Sequence, residues 1–327
     1  MSTCGRESLN IDAAQETERL VNALREHVHK TLHRQGAVVG ISGGIDSSVV
    51  LALCAKAFGP EHVVGILLPE GESSPDSARL AHELADCFSV ATETEDITGA
   101  LSGFGCYTRR DEAIKRLFPD FGPGWKAKIT LAGNLLEQAA LNVFKLTVTD
   151  LNGQEHSKRL PVREFAQIVG ASNFKQRARM SMLYYHAELR NYAVIGTANK
   201  NEHALGFFVK YGDGGNDFQV IAHLFKTQVY QLAKYLGVPA EIQQRTPTTD
   251  TYPGGSTQEE FFYRVPFDIL DTVWLGHERG LTHEEIAQGL SLSVDQVNRV
   301  VADIISKQRA TEYLRAAPIV LSEPIGQ

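Results

Sequence analysis

Two hydrophobic patterns alternate along the first hundred residues. Short continuous apolar runs are typical of buried strands, and longer segments place apolar residues on one helical face. Strands are predicted at residues 37–41, 63–68, 90–94, 192–196 and 219–223. Helices are predicted at residues 11–34, 47–58, 75–88, 129–144, 162–169, 175–189 and 227–236. The alternation predicts an α/β fold, a doubly wound parallel sheet with helices on both faces.

One segment departs from this alternation. Residues 99–124 are rich in Gly, Arg and Asp and are predicted to form an irregular surface loop or active-site lid. Further on, Asn152-Gly153 separates two short runs and predicts a β-hairpin. The predicted organisation is one domain over residues 1–327, with a small β-hairpin insertion at about 99–161 and a helical C-terminal part at about 258–327.

Composition narrows the classes of protein. The 327 residues carry a net charge of -7, from 32 basic and 39 acidic side chains, so the chain lacks the positive field that drives nucleic-acid binding. None of the four cysteines forms a C-x-x-C pair, which argues against a zinc site or a disulfide framework. No apolar run approaches the roughly 20 residues of a membrane span. We expect a cytoplasmic protein with neither nucleic-acid nor membrane partners.

The sharpest local feature joins the first predicted strand to the next helix. It reads Gly40-Ile41-Ser42-Gly43-Gly44-Ile45-Asp46-Ser47-Ser48. Adjacent glycines allow a tight turn, and the N–H groups that begin the helix attract an anion. The loop is therefore predicted to cradle a pyrophosphate, with Asp46 available for Mg²⁺. It is not a Walker loop, since no G-K-[ST] follows. A plain turn that caps the helix is the alternative.

A second polar cluster begins where the strand at 192–196 ends. It contains Thr197, Glu202 and Lys226, and the run Lys210-Tyr211-Gly212-Asp213-Gly214-Gly215-Asn216-Asp217. Two carboxylates, a lysine and three glycines in one loop predict a backbone shaped around a ligand. A solvated turn is the alternative.

These motifs together resemble the motif series of NAD synthetases, in the ATP pyrophosphatase (adenine nucleotide α-hydrolase-like) superfamily, whose phosphate loop reads S-G-G-x-D-S. The remaining motifs are Asn173-x-x-x-Arg177-x-Arg179-Met180, Gly196-Thr197-x-Asn199-x-x-Glu202, the glycine-rich block from Gly206 to Asp217, and Leu224-Phe225-Lys226-Thr227-Gln228-Val229. The resemblance covers about residues 20–100 and 172–271, and the spacing between motifs also matches.

The resemblance implies a role for each matched residue. ATP would bind residues 40–48, Thr197, Lys226 and Thr248. Mg²⁺ would be held by Asp46 and Glu202. Deamido-NAD would contact Arg177, Lys210 and Asp217. In the implied catalysis, Lys226 would offset charge on the leaving pyrophosphate, and Asp213 or Asp217 would take a proton from ammonia.

The implied reaction is an ATP-dependent amidation. The carboxylate of deamido-NAD would attack the α-phosphate, and ammonia would then convert the acyl-adenylate to NAD and AMP. Free ammonia is the expected nitrogen source because the chain has no room for an amidase domain, although a separate glutaminase stays an alternative. The family also implies a homodimer, for which the predicted helix at 129–144 offers an apolar surface. Lys307 is a candidate stand-in for a C-terminal His-Lys pair that this sequence lacks.

Two other interpretations stay open. A related ligase with the same phosphate loop could amidate a different carboxylate. A DNA-binding regulator is suggested by the spacing of apolar residues at 281–300, which resembles a helix-turn-helix. Its recognition helix would carry only one positive charge, Arg299, so a helical hairpin with an apolar seam is favoured.

Overall fold

The computed structural model describes residues 4–131, 133–137, 143–247 and 257–320. The strands are β1 (Ala37–Gly40), β2 (Val63–Leu67), β3 (Ala91–Thr94), β4 (Lys126–Leu131), β5 (Phe144–Thr149), β6 (Glu155–Arg159), β7 (Ala193–Gly196) and β8 (Phe218–Gln219). The first helices are α1 (Ala13–Arg25), α2 (Ile45–Phe58), α3 (Pro75–Cys87), α4 (Thr98–Gly103), α5 (Cys106–Lys115), α6 (Val162–Arg190) and α7 (Lys200–Leu205). They are followed by α8 (Lys226–Leu236), α9 (Ala240–Gln244), α10 (Phe267–Glu278), α11 (His283–Leu290), α12 (Val294–Ala310) and α13 (Glu312–Arg315). Short 3₁₀ turns occupy Arg6–Leu9 and Pro60–His62, and π-helical turns occupy Glu26–Thr31 and Glu259–Tyr263.

A five-stranded parallel sheet in the order β3-β2-β1-β7-β8 forms the centre of the fold. Successive residues of β1 serve opposite faces: Val39 packs with α1, α2 and α8, whereas Val38 packs with α6. Both faces are therefore covered by helices, and the central strands β1, β2 and β7 read as continuous apolar runs. The predicted doubly wound α/β architecture is confirmed.

The insertion contains a second sheet, antiparallel and three-stranded, in the order β4-β5-β6. The hairpin predicted around Asn152-Gly153 is confirmed as β5–β6. The helix predicted at 129–144 is wrong, because Lys126–Leu131 is a strand and Phe144 begins another. Alternation explains the difference, since Ala127 and Ile129 are buried between more exposed neighbours, which is the pattern of a one-faced strand.

The irregular loop predicted at 99–124 is also wrong, since α4 and α5 occupy most of it. Helix α5 buries Arg110 beside Ala113 and Ile114, and the guanidinium pairs with Glu72 at 2.6 Å. A charged side chain can be buried when it is paired, so this polar sequence still has an inner face. The two helices predicted at 162–169 and 175–189 are one continuous helix, α6.

The C-terminal helices α10, α11 and α12 enclose a separate apolar cluster. Residues on the facing sides of α11 and α12 are buried in it: Ile286, Ala287, Leu290, Val297, Val300, Val301 and Ile304. The segment that resembled a helix-turn-helix is therefore a helical hairpin with an apolar seam, as favoured. Within the described ranges, no helix is long and apolar enough to cross a membrane.

Candidate active site

The phosphate loop runs from the end of β1 into α2. Gly44 precedes α2 without a side-chain cap, so the first N–H groups of the helix are left for another acceptor. Ser47 and Ser48 donate their hydroxyls to the Gly44 carbonyl at 3.0 and 2.8 Å, and Ser42 accepts from the Gly44 N–H at 3.3 Å. The hydroxyls therefore brace the turn, and the open helix terminus forms an anion site.

A cavity of about 780 Å³ opens beside this loop, at the carboxyl ends of β1, β2 and β7. Parallel sheets of this kind bind ligands at that edge. The charged side chains that line the cavity are Asp46, Glu72, Arg179, Glu202, Asp213, Lys226 and Arg245. Residues from distant parts of the chain thus meet around one space large enough for a nucleotide.

An ion pair stands at the centre of the site. The Nζ of Lys226, at the start of α8, contacts the Oδ2 of Asp46, and the Nδ2 of Asn199 donates to its Oδ1 at 2.8 Å. Burial alone would lower the pKa of Lys226, but the charges of Asp46 and Glu202 outweigh it and raise that pKa. Lys226 is therefore held as a buried cation beside the phosphate loop.

The start of α8 is fixed by two further side chains. Asn201 accepts from the Lys226 backbone N–H at 2.9 Å, and Asp271 accepts from the Thr227 N–H at 3.0 Å. Asn201 also donates to Asp271 at 2.6 Å, which joins the two supports. Such supporting hydrogen bonds restrict where the Lys226 side chain begins, which is how a site keeps its geometry.

Glu202 adds a second carboxylate to the cluster. It accepts from the Asn199 N–H at 3.2 Å in a capping box at the start of α7, and from the Nε2 of Gln258 at 3.2 Å. Burial, and then the charge of Asp46, raise the pKa of Glu202 to about 8. Each of the two carboxylates disfavours ionisation of the other. A bound cation would therefore stabilise the ionised pair.

Asp213 lies on another wall of the cavity. It accepts from the Val209 N–H at 2.8 Å, and burial raises its pKa to about 6. The glycines around it are required by packing: a Cβ at Gly214 would lie 2.3 Å from the Phe208 ring, and one at Gly212 would lie 2.8 Å from Gln176. The loop therefore presents a carboxyl group whose pKa suits proton transfer near neutral pH.

Comparison with known proteins identifies the family. The sequence matches the family described as NAD synthase over residues 16–117 and 125–318. The chain belongs to the NAD synthase family. A relative from Rhizobium meliloti (strain 1021), described as "NH(3)-dependent NAD(+) synthetase", is 46% identical over 312 residues, which are 95% of this chain and 93% of the relative. A relative of the same description from Thermotoga neapolitana is 33% identical over 302 residues, covering 92% of this chain and 94% of the relative.

Solved structures share this fold. An NH3-dependent NAD synthetase from Campylobacter jejuni aligns with a TM-score of 0.61 at 24% identity, covering 95% of this chain and all of that chain. An NMN synthetase from Francisella tularensis aligns with the same TM-score and identity, covering 96% of this chain and all of that one. At this identity the likeness shows the fold alone. This chain therefore shares its overall fold with both solved structures.

Three residues predicted to bind substrate lie apart from the cavity lining. Arg177 is exposed on α6 and donates to the Lys210 carbonyl at 3.3 Å. The Nζ of Lys210 donates to the carbonyls of Tyr313 and Ala316, both at 2.8 Å. Asp217 accepts from the Tyr184 hydroxyl at 2.9 Å and from the Val194 N–H at 2.8 Å. In this conformation these side chains contact the chain itself.

The other predicted residues fall in three places. Thr197 lines the cavity. Thr248 lies outside the described residues. Lys307 donates to the Phe262 carbonyl and to Asp303, both at 2.6 Å, and is not among the residues that line the cavity.

Several side chains of this site have no role predicted from the sequence. Asn199 and Arg179 belong to the matched motifs, and the position of Asn199 three residues before Glu202 is the signal that could have paired them. Gln258 and Arg245 stand outside those motifs, and only the fold brings them to the cavity. Arg245 is 202 positions from Gly43, so no local sequence pattern could predict its contact with the phosphate loop.

The donors fit a magnesium ion that accompanies ATP. Asp46 and Glu202 are hard oxygen ligands, and Mg²⁺ is usually held by one or two carboxylates together with substrate phosphates. No cluster of three or more metal-binding side chains occurs among the described residues, so the chain offers no all-protein metal cage there. The raised pKa of Glu202 means that the surrounding residues disfavour its negative charge, and a bound cation would stabilise that charge.

Proposed function

We propose that the chain is an ammonia-dependent NAD synthetase, which converts deamido-NAD, ATP and ammonia to NAD, AMP and pyrophosphate. The strongest support is one cavity that brings together a phosphate loop, a buried lysine, two opposed carboxylates and a carboxyl group of raised pKa. Family membership supports the same chemistry.

The first step is adenylation. An oxygen of the nicotinate carboxylate attacks the α-phosphorus of ATP, and the bond to the β-phosphate oxygen breaks. The open N-terminus of α2 holds the phosphates, and Lys226 lies where negative charge develops on the departing pyrophosphate. Asp46 and Asn199 keep that lysine in place.

Magnesium ions are the proposed cofactor, and Asp46 and Glu202 would hold one. A bound Mg²⁺ supplies neutralisation of the charge on the phosphate oxygens. Without the cation, the ionised forms of the two carboxylates and the triphosphate would repel one another.

The second step is attack of ammonia on the adenylated carbonyl. The nitrogen forms a bond to the carbonyl carbon, the bond to the AMP oxygen breaks, and one proton must leave the nitrogen. We assign that proton to Asp213, which lines the cavity and has a pKa of about 6. Asp217 is the weaker candidate because it is not among the residues that line the cavity, and both its oxygens already accept hydrogen bonds, from Tyr184 and Val194.

A homodimer is proposed to complete the recognition of deamido-NAD. Helix α6 carries a line of exposed residues at intervals of four, which includes Arg177, Ser181, Tyr185 and Leu189. Tyr185 and Leu189 are 54% and 65% exposed, so they add two large apolar groups to the helix face that carries Arg177. This line replaces the interface predicted at 129–144, where the described residues at both ends belong to strands.

Sedimentation analysis tests the dimer. Tyr185→Glu and Leu189→Glu place charge on the proposed contact and should yield monomers, whereas Tyr235→Glu, at an exposed site on α8, should not. A wild-type monomer would contradict the proposal.

The function is tested by following NAD formation and pyrophosphate release at saturating ammonium and Mg²⁺-ATP. Deamido-NAD, nicotinic acid mononucleotide and simple carboxylic acids serve as alternative acceptors. Formation of NAD from the dinucleotide, with little product from the others, is expected. Preference for the mononucleotide, or for another carboxylate, would keep the ligase chemistry and reject the dinucleotide as substrate. Glutamine in place of ammonium should give no product without a separate glutaminase.

A further inference from the structure

Arg245 follows α9 and lines the cavity beside the phosphate loop. Its Nη1 donates to the Gly43 carbonyl at 3.4 Å, and its Nη2 donates to the Ser77 hydroxyl at 3.0 Å. The guanidinium therefore bridges the phosphate loop and the first turn of α3. None of the motifs that identify the site includes this residue.

Arg245 differs from Lys226, the other cation beside the phosphate loop, in the groups that it contacts. Lys226 is paired with the carboxylate of Asp46. Both acceptors given for Arg245 in the described part of the chain are uncharged oxygens. A guanidinium has five N–H donors, and these contacts use two of them. Arg245 thus brings positive charge to the loop with donors to spare.

The surroundings hold Arg245 against the loop. Gly43 has a φ of +71°, and a Cβ there would lie 2.8 Å from the Ser77 carbonyl oxygen and 2.9 Å from the Cβ of Leu80. The same Cβ would lie 3.4 Å from the Nη1 of Arg245. The loop, α3 and the guanidinium are in close contact, so the cation is positioned before any ligand arrives.

We propose that Arg245 binds the pyrophosphate portion of ATP and the pyrophosphate that is released. This rests on the proposed function, since it takes the phosphate loop as the ATP site. A guanidinium matches pairs of phosphate oxygens through its planar fork, which a lysine cannot reproduce. Arg245 and Lys226 then both bind the leaving pyrophosphate. Lys226 is held by Asp46, whereas Arg245 is not paired with any described carboxylate.

Calorimetric binding of magnesium pyrophosphate is the direct test, because it needs no turnover. Arg245→Gln removes the charge and should weaken this binding about 10- to 30-fold, the scale of one lost charge-assisted contact. The KM for ATP should rise by a similar factor, whereas the KM for deamido-NAD should stay within about twofold. Arg245→Lys should fall between the wild type and Arg245→Gln because it keeps the charge and loses the fork.

Two further variants separate binding from support. Arg79→Gln is the matched control, since Arg79 joins the same two helices, α3 and α9, through Glu241 at an exposed site. It should leave pyrophosphate binding unchanged. Ser77→Ala removes one hydrogen bond to the guanidinium and leaves its charge, so binding should change by less than about threefold.

Two results would contradict the role of Arg245, and a third would contradict the proposed function. Pyrophosphate binding by Arg245→Gln that equals the wild type would overturn the assignment. Equal losses of affinity for pyrophosphate and deamido-NAD would overturn it too, since they would show a general structural role. A wild-type chain that neither binds nor releases pyrophosphate would instead contradict the proposed function itself.

Discussion

Two groups of polar residues in this molecule are built differently. In the inner cluster, which comprises Asp46, Asn199, Glu202 and Lys226, charged groups contact one another beside the cavity. In the outer group, which comprises Arg177, Lys210 and Asp217, each side chain contacts main-chain groups of its own chain. If the function is as proposed, nucleotide activation is assembled within one chain, whereas recognition of deamido-NAD would require rearranged contacts or a second subunit.

The largest effect is expected for the inner cluster. Lys226→Ala should lower kcat/KM by two to four decades, about 3–5 kcal/mol, because the cation acts where charge develops on pyrophosphate. Steady-state pyrophosphate release measures it. Lys234→Ala, at an exposed position of the same helix, is the matched control and should behave as the wild type. Unchanged turnover in Lys226→Ala would remove this residue from the mechanism.

Asp213→Asn should act on the amide-forming step alone. The replacement can still accept the Val209 N–H, but it cannot take a proton, so kcat should fall about 100- to 1,000-fold. In the wild type, kcat should decline as pH drops below about 6, because the base is then protonated, and this decline should vanish in the variant.

Hydroxylamine provides the control for that assignment. It is less basic than ammonia, so the proton on its nitrogen is more acidic after attack on the carbonyl, and its reaction depends less on a protein base than that of ammonia. The ratio of hydroxamate to amide product should rise in Asp213→Asn. An unaltered ratio together with a retained acidic decline would exclude Asp213 as the base.

The outer group should affect substrate affinity. Arg177→Ala and Lys210→Ala should each raise the KM for deamido-NAD about tenfold and leave the KM for ATP near its wild-type value. Steady-state kinetics with each substrate varied in turn gives both constants. Equal increases in both constants would mean that the inner and outer groups are not separate.

Asp217→Asn should have the smallest kinetic effect. Asp217 accepts from Val194 in β7 and from Tyr184 in α6, so the variant should lower the free energy of unfolding by about 1 kcal/mol. Urea denaturation measures it. A loss of kcat as large as that of Asp213→Asn would instead make Asp217 catalytic.

Local sequence was sufficient for the central sheet and the phosphate loop. The central strands β1, β2 and β7 are continuous apolar runs, and the loop is a contiguous motif between a strand and a helix. Prediction was wrong where burial depends on a distant partner. Arg110 made α5 look like a surface loop, although Glu72 neutralises it inside the fold. The strand β4 alternates over only six residues, and its partner β5 is needed to recognise it.

The candidate site shows the same limit. Asp46 and Lys226 were predictable as separate residues by family resemblance, but their contact spans 180 positions and depends on the topology of the sheet. Arg245 belongs to none of the matched motifs. It follows α9, which packs against α8, and this packing brings it to the phosphate loop. Residue roles that depend on such contacts required the structure.

In the proposed mechanism, the acyl-adenylate forms before ammonia takes part, and Lys226 of the inner cluster is required for that step. Exchange of labelled pyrophosphate into ATP, in the absence of ammonium, measures this directly. We expect exchange of labelled pyrophosphate that requires deamido-NAD and Mg²⁺ and that is lost in Lys226→Ala. Exchange without deamido-NAD, or no exchange until ammonium is added, would contradict it.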